Sequence, residues 1–168
     1  AIGDELIQGF TVDSNSSWIS NFVLDYGINV YKSVAIGDSL NEIKSAIDEF
    51  IIDECPIIFV TGGLGPTHDD ITKKALLEYF ETSYKFDNDH HEKLKNFFLK
   101  RGLQFENSQK SQSQILSCSK KINNKYGSAL GMYIQFSNSK IFVLPGVPRE
   151  MEGMMTREIL PKFLNNFK

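Results

Sequence analysis

The chain has 168 residues, of which 41% are hydrophobic and 23% charged, as in ordinary globular domains. This length predicts a single domain with a sizeable core. The formal net charge of −3 argues against a nucleic-acid partner, because no basic field is available for a phosphate backbone. No apolar run reaches the roughly 20 residues that span a bilayer, and Cys55 and Cys118 lack metal-binding spacing. Composition therefore predicts a cytoplasmic domain with no membrane partner.

Strand-like and helix-like segments alternate along the chain. In chain order the predicted elements are a strand stub at residues 1–2, a helix over 15–27, a strand at 28–36, a helix over 39–54, a strand at 56–60, helices over 70–80 and 88–102, a short helix over 109–116, strands at 132–136 and 141–145, and a helix over 149–165. Ser39 and Glu42 have capping-box spacing. Asp87 is predicted to cap a helix rather than to bind metal with His90 and His91.

This alternation predicts the fold class. Strand–helix–strand units form right-handed crossovers, so we expect a mainly parallel sheet with helices on both faces. The short link SNSK between 132–136 and 141–145 predicts an antiparallel hairpin, which makes the sheet mixed. The prediction is therefore one three-layer α/β/α domain over 1–168, in which residues 1–2 are the end of an incomplete first strand.

The segment VTGGLGPTHDDIT, residues 60–72, joins a buried strand to a helix through a glycine-rich loop. Ligands of open α/β sheets bind beyond the carboxyl ends of the strands. Glycines there permit positive φ and let backbone N–H groups approach an anion, and the helix N-terminus favours negative charge. We predict that an anion contacts the N–H groups of residues 62–67, with Thr67 as the helix cap.

Two adjacent acids, Asp69 and Asp70, follow this loop. One explanation is that they stabilise the start of a helix through its dipole. The other is that they hold a divalent cation, such as Mg²⁺, Mn²⁺ or Co²⁺, that bridges carboxylate and phosphate oxygens. Their spacing leaves both explanations open.

Similar polar turns follow the other predicted strands, at GDEL (3–6), GDSL (37–40) and PGVPRE (145–150). Each turn alone is a weak signal, because Gly-Asp after a strand is common at helix caps. Loops at the same edge of a sheet converge, so the four turns together predict a shared crevice. We expect Asp38 and Asp70 to face this crevice.

The motif order GDELIQGFTVDSN, VAIGDS, VTGGLGPTHDDIT, NKYGSALG and LPGVPREM resembles the molybdopterin-binding domain family, and more narrowly the amino-terminal domain of CinA, the competence/damage-inducible protein. The resemblance covers essentially the whole chain. It implies a pterin or nucleotide-pyrophosphate pocket, a molybdopterin-related ligand, and a homo-oligomer, as in relatives. In CinA-type relatives the domain is associated with metal-dependent cleavage of ADP-ribose to AMP and ribose 5-phosphate.

The resemblance and the loop positions together assign site residues. Asp38 and Asp70 correspond to acids that molybdopterin adenylyltransferases need for catalysis, and Asp38, Asp69 and Asp70 are the assigned metal ligands. The assigned ligand-binding residues are Gly3, Asp4, Glu5, Asn15, Thr61, Gly62, Gly63, Gly65, Thr67, Ser128, Pro145, Gly146, Pro148 and Glu150.

One loop departs from the family. Where relatives have NPxGTAPG, residues 124–131 are NKYGSALG, so two prolines are lost while Ser128 keeps a hydroxyl. The change predicts a more flexible loop and leaves the identity of the substrate open. The preceding run KKINNK, 120–125, is either solvated surface or a source of lysine for a phosphate.

Three functions follow from these observations. The first is metal-dependent hydrolysis of a nucleotide diphosphate such as ADP-ribose, in which metal neutralises charge and activates water. The second is a pterin- or nucleotide-binding module without turnover. The third is adenylyl transfer to molybdopterin, which the motifs GGLGPTHDD and PGVPREM favour less than the CinA-like branch.

Overall fold

A computed structural model describes residues 1–67, 70–105 and 107–164. The α-helices are α1 (Asp4–Ile7), α2 (Ser14–Leu24), α3 (Leu40–Ile52), α4 (Thr72–Tyr79), α5 (Asn88–Lys100) and α6 (Pro148–Met154). A 3₁₀-helix spans Asn107–Ser113, and a π-helix, Met155–Leu164, continues from α6. The strands are β1 (Ile57–Thr61), β2 (Tyr84–Phe86), β3 (Gln114–Leu116), β4 (Ser119–Ile122), β5 (Gly131–Phe136) and β6 (Ser139–Leu144). No helix within these ranges is long and apolar enough to cross a bilayer.

The predicted helix caps are confirmed at α3 and α5. The Asp87 carboxylate accepts a hydrogen bond from the backbone N–H of His90 at 2.8 Å, and the Ser39 hydroxyl accepts one from that of Glu42 at 3.4 Å. The capping box is not completed in the usual way, since the Glu42 carboxylate accepts from the N–H of Gly37 at 3.1 Å. Glu42 therefore holds the loop before α3.

The main sheet is mixed, as predicted, with the strand order β1-β6-β5-β4. β1 pairs with β6 in parallel, with Phe59 opposite Phe142. The predicted hairpin is confirmed, because β5 and β6 pair antiparallel. β4 adds a further antiparallel strand beside β5. Within the described residues, the parallel part of the sheet is β1–β6 and an isolated bridge from Ile2 to Ile36. Two of the three ladders of this sheet are antiparallel, so the prediction of a mainly parallel sheet is wrong for these residues, because β4, β5 and β6 are consecutive in the chain and pair as neighbours.

The prediction for the segment 109–122 is partly wrong. The expected helix over 109–116 is a 3₁₀-helix that ends at Ser113, and the chain then enters β3, which pairs antiparallel with β2. β2 and β4 were not predicted, because they are short and expose charged residues such as Lys85 and Lys120. The last predicted helix begins one residue early at Pro148 and changes to π geometry at Met155, within the segment that contains Pro161.

The predicted strand at 28–36 is wrong over most of its length. Only Ile36 makes a bridge there, to Ile2, whose N–H donates to the carbonyl of Thr61 at 2.8 Å. A cavity of about 360 Å³ separates residues 28–34 from β1. The segment is therefore too far from β1 to form a ladder with it over this stretch.

Side chains of β6 alternate between two hydrophobic clusters. Ile141 and Val143 belong to the cluster that α3 and α4 cover. Phe142 and Leu144 belong to the cluster that α2, α6 and the π-helix cover. Since successive residues of a strand point to opposite faces, the sheet lies between two helical layers. The predicted three-layer α/β/α fold is confirmed.

Candidate functional site

A crevice of about 650 Å³ lies beyond the carboxyl ends of β1 and β6. The four polar turns after predicted strands all contribute to it, through Gly3, Asp38, Gly63 and Pro145. The prediction that these turns open on one side of the sheet, with Asp38 facing the same crevice as Asp70, is confirmed. This is the position where open α/β sheets bind their ligands.

Twelve of the assigned residues line the crevice. They are Gly3, Glu5, Asp38, Gly62, Gly63, Gly65, Asp70, Ser128, Pro145, Gly146, Pro148 and Glu150. The sequence did not single out the rest of the lining, which is Ile2, Leu64, Pro66, Gln112, Ala129 and Val147. These residues are mostly apolar, and an apolar residue beside a motif cannot be told from core by type alone.

Asp4 and Asp38 join two loops beside the crevice. The backbone N–H of Asp4 donates to Oδ2 of Asp38 at 3.0 Å, and the N–H of Asp38 donates to Oδ1 of Asp4 at 2.9 Å. Each carboxylate thus accepts from the other residue's backbone. Asp4 does not line the crevice, and its contact holds Asp38 in place.

Asn15 and Thr61 lie behind the crevice rather than in its wall. The amide of Asn15 donates to the carbonyl of Gly146 at 2.8 Å and so supports the loop after β6. Its Oδ1 is buried and has no hydrogen-bond partner among the residues that the structure describes. Thr61 ends β1, and its carbonyl accepts from the N–H of Ile2.

The Asp70 carboxylate fills the glycine loop that was predicted to hold an anion. Its Oδ1 accepts from the N–H of Gly65 at 2.7 Å, and its Oδ2 accepts from the N–H of Thr67 at 2.8 Å and from the Thr67 hydroxyl. The N–H of Gly62 donates to the carbonyl of Leu144. The anion prediction is therefore wrong for these three N–H groups, since protein oxygens already occupy them.

Thr67 is not the helix cap that the sequence predicted. α4 begins at Thr72, and the residue at its N-cap position is Ile71, which makes no side-chain capping hydrogen bond. Glycine is required in the loop before it, because Gly62 and Gly63 have φ of 104° and 64°. A Cβ at Gly63 would lie 2.1 Å from the hydroxyl oxygen of Thr72, which donates to the carbonyl of Gly62.

The divergent loop 124–131 is held by its own hydrogen bonds. Oδ1 of Asn124 accepts from the N–H groups of Tyr126 and Gly127 at 3.0 and 2.9 Å. Its Nδ2 donates to the carbonyl of Ala129 and to Glu150, the latter at 2.6 Å. These contacts replace some of the restriction that the two family prolines would supply, and they fix the loop that carries Ser128.

His90 supports the same loop from α5. Its Nε2 lies 2.7 Å from the carbonyl oxygen of Ser128. Burial lowers the pKa of His90 below its usual value, which favours the neutral ring at neutral pH. A neutral ring that faces a carbonyl must carry its proton on Nε2. His90 is therefore a donor that positions Ser128, and Asp87 is its helix cap, as predicted.

Lys73 is a buried cation behind the crevice that the sequence did not single out. Its Nζ donates to the carbonyls of Ser111 and Gln114 at 2.6 and 3.4 Å. These bonds hold the segment that presents Gln112 to the crevice. Burial lowers the pKa of Lys73 to about 8, and the charge of Asp70 partly opposes that shift. Two adjacent lysines in a sequence usually indicate a solvent-exposed face of a helix. The buried position of Lys73 was therefore not predicted.

The described side chains give no support to the predicted divalent cation. Among the residues in the described ranges, no group of three or more His, Cys, Asp or Glu side chains could hold a metal ion. Both oxygens of Asp70 accept from the glycine loop, and Asp38 accepts from Asp4. Asp69, the third assigned ligand, lies outside the described residues. The metal remains a prediction.

The fold and crevice define a class of protein, a three-layer α/β/α domain with a crevice beyond the carboxyl ends of its strands. The family model described as "Probable molybdopterin binding domain" matches residues 1–165, and the chain belongs to this family. The predicted similarity to CinA-type domains is also confirmed, since a CinA-like protein of Chlorobium phaeobacteroides is 37% identical over 172 residues.

The chain spans only part of its curated relatives. It matches that CinA-like protein over 100% of its own length and 40% of the relative's. A protein of Pyrococcus horikoshii is 36% identical over 168 residues, which cover 96% of this chain and 66% of the relative. The similarity therefore concerns one domain of longer proteins.

Solved structures share the fold. The protein CinA from Thermoplasma acidophilum superposes with a TM-score of 0.84 at 28% identity, covering 97% of this chain and 94% of that one. The molybdopterin biosynthesis enzyme MoaB of Thermus thermophilus superposes with a TM-score of 0.65 at 16% identity, covering 99% and 89%. The second similarity supports the fold alone.

Proposed function

We propose that the crevice binds a small pterin- or nucleotide-type ligand. The observation that carries this proposal is the convergence of four family-motif loops on one space of about 650 Å³. Small-molecule sites typically have volumes of roughly 300–1,000 Å³, with a mainly apolar wall and a few polar groups. Family membership supports a molybdopterin-related ligand.

The side chains of the crevice match a ligand that is rich in hydrogen-bond donors. Glu5, Asp38 and Glu150 bring carboxylates to its wall. Carboxylates accept hydrogen bonds from ring N–H and ribose O–H groups, and they repel phosphates. Apolar residues such as Leu64 and Val147 offer surface for the face of a ring. The part of the ligand that carries the ring and the ribose, termed the head group, is therefore expected in the crevice.

Calorimetric titration with pterin, adenosine, AMP and ADP-ribose tests this proposal. At least one probe should bind, and Glu5→Gln and Ser128→Ala should each weaken it. A lost charged hydrogen bond corresponds to a loss of about tenfold to hundredfold in affinity, so the larger effect is expected for Glu5→Gln. Asp25→Asn, on the exposed end of α2, is the matched control. Equal effects of all three variants would contradict the site.

Metal-dependent hydrolysis of a nucleotide diphosphate such as ADP-ribose is the second candidate, because Asp38 and Asp70 line the same crevice. Incubation with ADP-ribose, FAD and NAD in the presence of Mg²⁺, Mn²⁺ or Co²⁺, followed by chromatography, separates the candidates. Release of AMP and ribose 5-phosphate would establish an enzyme, whereas binding without products would establish a binding module. Pyrophosphate release from ATP with molybdopterin would indicate adenylyl transfer.

Homo-oligomer formation stays a prediction, which analytical ultracentrifugation would test.

A further inference from the structure

Tyr126, in the divergent loop, lies on a glycine of α6. Arg149, Gly153 and Arg157 follow one another at intervals of four residues, so they share one side of the helical segment. A Cβ at Gly153 would lie 2.5 Å from Cδ2 and Cε2 of the Tyr126 ring. Glycine at position 153 therefore leaves the space that the Tyr126 ring occupies.

Both arginines contact this one ring. The guanidinium carbon of Arg149 lies 5.0 Å from the ring centroid, and that of Arg157 lies 5.6 Å from it. Nη2 of Arg157 also donates to the Tyr126 hydroxyl at 3.0 Å. Cations within about 6 Å of an aromatic centroid are attracted to it. Tyr126 therefore gathers two like charges at the protein surface, each within 5.6 Å of the centre of its ring.

These charges have no ionic partner in the part of the chain that the structure describes. The ion pairs found there join other residues, and neither Arg149 nor Arg157 takes part in one. Both arginines are exposed, and so is Lys125, which precedes Tyr126 in the loop. A cationic patch of this kind stands out in a chain whose formal net charge is −3.

The patch residues Arg149 and Tyr126 are neighbours in sequence of residues that line the crevice. Arg149 lies between Pro148 and Glu150, which both line the crevice, and Tyr126 is two residues from Ser128, which also lines it. The carboxylates of the crevice repel anionic groups, whereas the two guanidinium groups attract them. A ligand with a donor-rich head and a phosphate group would therefore place the head in the crevice and the phosphate over the arginines.

We propose that Arg149 and Arg157, held by Tyr126, form the phosphate-binding site for the ligand whose head group occupies the crevice. This proposal rests on the proposed function. Guanidinium groups donate paired hydrogen bonds to phosphate oxygens, and a lysine cannot reproduce that geometry. Tyr126 acts as a positioning residue, since its ring and hydroxyl orient the two side chains.

The test compares adenosine with AMP, which differ by one phosphate. In the double variant Arg149→Gln/Arg157→Gln, calorimetry should show AMP binding about tenfold to hundredfold weaker, with adenosine binding unchanged. The control Lys95→Gln/Lys100→Gln removes two exposed cations from α5 and should leave both ligands unaffected. Equal loss for both ligands, or no loss for AMP, would overturn the proposal.

A second measurement separates this proposal from the proposed function. Inorganic pyrophosphate is titrated while the arginine Nε–H resonances are followed by NMR. Shifts at Arg149 and Arg157 that saturate in the millimolar range, and that the lysine control retains, support the phosphate site even when no nucleoside binds. Unchanged resonances for these two residues at that concentration would refute it.

Discussion

At the scale of single residues, Asp70 has a role that its position in the sequence did not indicate. An acid at the start of a helix is usually a cap or, near a phosphate loop, a metal ligand. Here the carboxylate accepts hydrogen bonds from Gly65 and Thr67, which precede it, so it closes the loop onto itself. The sequence predicted that Asp70 faces the crevice, but only the structure shows which N–H groups donate to its carboxylate.

This geometry predicts the effect of Asp70→Asn. An amide has one acceptor oxygen, so its NH₂ group would face either the N–H of Gly65 or the two donors of Thr67. We expect the free energy of unfolding to fall by about 1–2 kcal/mol, more than for an ordinary cap. Urea denaturation measures the loss. Asp13→Asn is the control, because Asp13 caps α2 through one N–H group and should tolerate Asn. Equal losses would contradict the claim that both oxygens of Asp70 hold the loop closed.

Lys73 gives a pH dependence with a definite sign. Its pKa is about 8 in the folded chain and near 10.5 when exposed, so the unfolded state binds more protons between these values. Stability therefore rises with pH across this window, because the penalty of burying the charge disappears as Lys73 loses its proton. At about 1.4 kcal/mol per pKa unit, the rise is roughly 3 kcal/mol.

The measurement is urea unfolding from pH 7.5 to 10.5 for three chains. The unfolding free energy of the wild type should rise relative to that of Lys73→Met, which has no proton to lose at this position. Lys74→Met removes the adjacent exposed lysine and should run parallel to the wild type. A difference between the wild type and Lys73→Met that stays constant with pH would contradict the buried charge.

At the scale of elements, the cavity beside β1 explains why residues 28–35 are not a strand. Its lining includes Val30, Val34 and Ile57, so it has the apolar character of a sheet interior. The Ala1 ammonium group is at its margin, donating to the carbonyl of Val34 at 2.8 Å, and burial lowers the pKa of that ammonium group. A strand inserted here would contact β1 on one side and the 28–34 segment on the other.

This leads to a prediction about an extended chain. Four apolar β-forming residues added before Ala1 should enter the cavity, pair with β1 and replace the buried ammonium group by an amide. We expect the melting temperature to rise by about 5–10 °C, from a few kcal/mol of apolar burial. A Gly-Ser extension of equal length is the control, since it brings no apolar side chains. Equal melting temperatures for the two extensions would show that the cavity does not accept a strand.

The elements that could be predicted have strong local signals. Apolar periodicity and the caps Ser39 and Asp87 located α3 and α5, and the short SNSK link identified the β5–β6 hairpin. The failures have physical causes. β2 is three residues long and exposed throughout, so no alternation marks it. The segment 28–36 alternates like a strand, but pairing depends on a neighbour that local sequence cannot reveal.

At the scale of the whole molecule, the residues that line the crevice could be predicted from the sequence, whereas the contacts among them could not. The topology places turns after strands at one edge, which is why residues as distant as Gly3, Asp38 and Pro145 could be assigned to one crevice. Gln112 and the buried Lys73 behind it were not predicted, because the path of the 3₁₀-helix depends on tertiary packing. The crevice therefore joins segments from almost the full length of the chain.

That arrangement predicts how a ligand changes the stability of the molecule. A ligand that binds only the folded state raises the unfolding free energy by about 2.7 kcal/mol at a hundredfold excess over its Kd. Because the crevice unites the loops 3–6, 37–40, 62–67 and 145–150, amide hydrogen exchange should slow in all four together, and not in β2 or the exposed face of α5. Exchange measured by mass spectrometry with saturating AMP or adenosine, whichever binds, tests this. Protection confined to residues 28–34 and 57–59 would instead place the ligand in the cavity beside β1, and would contradict the crevice as the binding site.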